Sequence, residues 1–102
     1  MSDDKDVDKE FRAVVDSFIH LANKQSETAS RENVNMALLY AAARFNSFVV
    51  ASHAEDLKKY QSDRETAMEF FLSEYRRMLA ENLDDYQKVY DQKYAHLVKK
   101  DH

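Results

Sequence analysis

The sequence contains no glycine, proline, cysteine or tryptophan in its 102 residues. Average usage would supply about 7% glycine and 5% proline, so each absence excludes something. Tight β-hairpins lean on glycine or asparagine at positive φ; long helices joined by short polar loops need neither. The predicted class is all-α, and a chain of this length has room for one domain with a modest core. Without cysteine there is no disulfide framework and no thiolate zinc site, which fits a reducing compartment. The opening residues MSDDKDVDKE are acidic and polar, unlike a secretory signal or an arginine-rich transit peptide, so cytoplasmic residence is the expectation. The net charge of −4 and pI near 5.5 lack the basic excess of a duplex-binding domain, and no nucleic-acid partner is expected.

Periodicity then divides the chain. Residues 1–6 are expected to be a disordered acidic lead-in, with Asp4 or Asp6 capping a first helix over about 7–26. Phe11, Val14, Val15, Phe18, Leu21 and Ala22 fall within about 120° of arc on that helix, a single amphipathic stripe. KQSETASREN (24–33) reads as a turn, with Thr28 or Ser30 as the next N-cap. A second helix follows over about 31–57. Ser62 and Glu65 fit a capping box, so a third helix is expected over about 63–83, burying Met68, Phe71, Leu72, Tyr75, Met78, Leu79 and Leu83. Beyond Leu83 the helical period persists through Tyr86, Val89, Tyr90, Tyr94 and Leu97. Either Asp84 or Asp85 caps a fourth helix there, or the third runs on to about residue 98. The architecture expected is a three-helix up–down bundle, a single domain over 7–86, with a helical C-terminal extension over 87–102.

The segment ALLYAAARFNSFVVAS (37–52) carries one formal charge, Arg44, in a chain that is 33% charged. Its helix has a main stripe of Val34, Leu38, Ala41, Phe45, Phe48, Val49 and Ser52. A second strip, Met36, Leu39, Ala43 and Val50, lies on another side of the helix. A helix apolar on two faces must cover two surfaces, which makes it the expected central helix. It is also about the 20 residues that span a bilayer. An arginine at the centre costs about 2.5–3.5 kcal/mol on insertion scales, and Asn35 and Asn46 add to that; no membrane partner is expected.

Chemistry-bearing patterns are sparse. No Glu-x-x-His or His-Glu-x-x-His occurs, so a ferritin-like di-iron site lacks its ligands. Asp16 and His20, one turn apart with Asn23 beyond, lie opposite the first helix's stripe and read as a solvated face. There is no glycine loop for phosphate and no strand–turn–helix to present a serine. No enzyme, metal or cofactor is expected. Arg44 has two readings. In one it snorkels, laying its methylenes over apolar surface; in the other it is partly buried and held by a carboxylate, since an unpaired buried charge is costly. An antiparallel hairpin turning near residue 61 would put Arg44 level with about residue 77, where Glu74 and Glu81 are the acids; Glu74, which flanks the third helix's stripe, is the expected partner.

Leu72, Leu79, Leu83, Tyr86, Tyr90 and Leu97 fit alternating three- and four-residue steps, with Arg76 and Lys93 filling gaps, like an interrupted coiled-coil seam. The chain resembles, over roughly residues 8–86, a family of short, mostly proteobacterial proteins classed as a domain of unknown function. The likeness rests on FIHLAN (18–23), ALLYAAARFNSFVVAS (37–52) and DRETAMEFFLSEYRRMLAENLDDY (63–86). It implies a stand-alone helical cytosolic protein and supplies no activity or ligand. Two functions from different classes follow. The first is a protein-interaction or adaptor module, a homodimer, with Met36, Leu39, Val50, Phe70, Tyr86, Tyr90 and Leu97 as candidate interface. The second is a binding protein for an anionic small molecule, with Arg44, Tyr40, Asn46, Glu74 and Tyr75 as candidate polar site.

Overall fold

The computed structural model describes residues 2–93, with side chains from residue 6 to residue 90. The described residues form three helices, α1 (Ser2–Gln25), α2 (Arg31–His53) and α3 (Leu57–Lys93), and contain no strand. The class is all-α. The chain divides into two compact units, Met1–Val49 and Val50–His102.

In the first unit, α1 starts at Ser2 and not at residue 7. Asp3, Asp4 and Asp6 stand in its opening turns, where the positive end of the helix dipole favours anions, so the expected lead-in is helix and neither Asp4 nor Asp6 is a cap. At the other end the chain turns without glycine. No residue among those described has positive φ. α1 instead tightens through Glu27 N–H to Lys24 O (3.1 Å) and Thr28 N–H to Gln25 O (3.2 Å), the i→i+3 pattern that closes many helices. Of the two expected caps, Ser30 is the one used: its Oγ accepts from Asn33 N–H at 3.1 Å.

α2 ends at His53, earlier than expected, and α3 begins at Leu57 and not at residue 63. Its cap is Asp56, whose Oδ1 accepts from Lys59 N–H at 2.8 Å. The expected capping serine, Ser62, lies inside the helix and donates its hydroxyl to Lys59 O at 2.9 Å. Lysine and glutamine are good helix formers, and Lys59 pairs with Asp63 one turn on at 3.3 Å. At the far end α3 runs through Asp84 and Asp85 without a break. Its 37 residues make a rod about 55 Å long at 1.5 Å per residue.

Burial departs most from expectation. None of the described residues is buried. In the first unit the half-buried positions are Ala22, Ser26, Ala29 and Val34 around the turn, with Asn46 and Val49 further along α2. In the second they are Val50, Ala54, Tyr60, Asp63, Ala67, Phe71 and Glu74. Most residues of the stripes expected to be buried are instead exposed, Phe11 at 66%, Phe45 at 65% and Phe48 at 64% among them.

Candidate functional site

The residues proposed for a polar site fall into both units. Tyr40 and Arg44, one turn apart on α2, line a shallow open concavity of about 350 Å³ with Ala43 and Ser47. All four come from a single helix, and Ser47 Oγ donates to Ala43 O at 2.9 Å. Asn46 is half-buried on the same helix and does not line that concavity. Glu74 and Tyr75 belong to α3 in the second unit.

Glu74 has a partner on its own helix. Arg77 donates from Nη2 to Glu74 Oε1 and from Nη1 to Glu81 Oε2, each at 2.8 Å. Glu74, Arg77 and Glu81 are spaced three and four residues apart, which puts them in reach along one side of a helix. The hydrogen bond from Arg77, reinforced by its charge, holds the Glu74 carboxyl below the ordinary glutamate range. Hydrogen bonds to Glu74 and then Glu81, with their charges, raise the Arg77 guanidinium in turn. Arg77 and Glu81 are exposed and Glu74 is half-buried, and pairs of this spacing stabilise the helix that carries them.

A larger concavity, about 670 Å³, sits at the α1–α2 turn, where Asn23, Glu27, Arg31, Glu32 and Asn35 meet Ala22, Val34 and Leu38. In the sequence, residues 24–33 read as a turn and Ala22, Val34 and Leu38 as parts of helix stripes, so the signal available was a polar turn between two amphipathic helices. The concavity is open to solvent, and among the described residues no buried polar side-chain atom is left without a hydrogen bond. Those residues contain no group of three or more His, Asp or Glu placed to hold a metal ion. Asp16, His20 and Asn23 are exposed.

The expected interface residues are accessible. Met36, Leu39, Phe70, Tyr86 and Tyr90 are exposed and Val50 is half-buried; Leu97 lies outside the described residues. Phe45 and Phe48 approach with ring centroids 6.0 Å apart, and Phe70 meets Phe71 edge-on at 5.5 Å. α2 is long and apolar enough, by length and composition, to cross a membrane.

Fold and surface together define a small all-helical protein in which, among the described residues, most large apolar side chains are exposed. The chain belongs to the family described as Protein of unknown function (DUF3144), whose model matches residues 11–87. No curated protein and no solved structure matches it.

Proposed function

We propose that the chain is a protein-interaction module whose apolar helix faces are completed by association, first with a second copy of itself. One observation carries this reading: 24 large apolar residues are exposed among those described, and none is buried. Single exposed apolar side chains are ordinary, but contiguous patches beyond a few hundred Å² mark interaction surfaces. Here the exposed residues recur at helical spacing along α1 and α3, so they form faces. No catalytic step, metal or cofactor is part of the reading, and the polar groups around Arg44 are too open to favour a small anion over water. Arg44 at the middle of α2 weighs against a bilayer as the occupant.

If association completes the fold, stability depends on concentration by mass action. A tenfold rise in concentration is worth about 1.4 kcal/mol. For a pair of such chains that raises the melting temperature by about 3–5 °C. Thermal unfolding followed by circular dichroism across a hundredfold dilution tests it. A melting temperature that climbs with concentration is the expected result; one that stays constant would overturn the reading.

A further inference from the structure

Resting on the association reading, we propose that the second copy packs antiparallel along α3, with Leu79 on the two-fold axis. Met68, Leu72, Tyr75, Leu79, Leu83, Tyr86 and Tyr90 all lie within about 80° of arc on this continuous helix. Their exposures run from 42% to 64%. The half-buried residues of α3, from Tyr60 to Glu74, follow a different strip about 120° round the helix. At about 200 Å² per large side chain, the seven leave roughly 700 Å² per copy to be covered, close to the 800 Å² per partner of a standard interface.

The orientation follows from the spacing. Steps of 4, 3, 4, 4, 3 and 4 residues separate the seven positions, and the series reads the same in both directions about Leu79. An antiparallel copy therefore sets Met68 opposite Tyr90, Leu72 opposite Tyr86 and Tyr75 opposite Leu83. Each tyrosine ring meets an aliphatic side chain, the large-against-small alternation that lets two faces interdigitate. A parallel copy would stack each phenol on its twin. Opposed helix dipoles also favour the antiparallel orientation.

The absence of cysteine makes the test clean. Single variants Leu79→Cys, Met68→Cys and Tyr90→Cys, oxidised and run on a non-reducing gel, report which residues lie within disulfide reach, about 4.4–6.8 Å between Cα atoms. Leu79→Cys should cross-link to its own copy. Met68→Cys and Tyr90→Cys should each stay single alone, because like positions are separated by 22 residues, about 33 Å; mixed, they should cross-link. Self-cross-linking by all three would overturn the antiparallel arrangement. No cross-link, with sedimentation still giving about 24 kDa, twice the 12.0 kDa chain, would overturn this seam while leaving association standing. A 12.0 kDa species would remove both. The substituted positions are exposed in the single chain, so unchanged circular dichroism separates loss of pairing from loss of helix.

Discussion

Shortening Leu79 to alanine removes an isopropyl group from the centre of the proposed seam. Leu79 is 42% exposed in the single chain, so pairing has rather less than half of its surface left to cover. Full burial of a leucine side chain is worth about 1.5–3 kcal/mol, which leaves about 1 kcal/mol per copy at stake. Both copies present the residue on the axis, so the dimer loses about 2 kcal/mol, close to a thirtyfold weaker dissociation constant. Two facing truncations also leave a void, which pushes the loss upward. Phe70→Ala is the control. Phe70 is more exposed, at 59%, but lies about 180° round α3 from the seam. Its removal should change the constant by less than about twofold, as surface substitutions do. Sedimentation equilibrium over a dilution series measures both. An unchanged constant for Leu79→Ala beside a weakened one for Phe70→Ala would refute the reasoning.

Three further outcomes test parts of the structure. The lowered Glu74 carboxyl stabilises α3 above the ordinary glutamate value, and that contribution is lost as pH falls through the lowered value; in Arg77→Gln, the Glu74 titration followed by NMR should move back up, and no movement would deny the pair. Ser30→Ala removes the α2 cap and should cost about 1 kcal/mol in chemical denaturation; no loss would mean the hydroxyl is not the cap in solution. In flotation with anionic vesicles the protein should stay with the soluble fraction, while Arg44→Leu, which removes about 2.5–3.5 kcal/mol of insertion cost, should shift toward the vesicles; flotation of the natural sequence would make α2 a membrane element.

Much of the fold was legible because the first two helices announce themselves by apolar period and by the Ser/Thr-rich turn that Ser30 caps. The start of α3 was not. Lys58, Lys59, Gln61 and Ser62 carry no apolar period, yet a solvated helix turn needs none, and Ser62-x-x-Glu65 imitates a cap that Asp56 already supplies. The run through Asp84 and Asp85 was left open for a related reason: no breaker stands there, and only the continuous backbone decides it. The pairing of Glu74 with Arg77, three residues on, is an ordinary i,i+3 spacing, with nothing in the sequence to set it apart from the many other charge pairs of a 33% charged chain. Burial was the largest departure. Amphipathic spacing says which face avoids water; it does not say which chain covers that face.

The mass of the protein at micromolar concentration tests association most directly. Sedimentation velocity should give a species near 24 kDa, twice the 12.0 kDa chain, that dissociates on dilution. A single 12.0 kDa species at every concentration would contradict it.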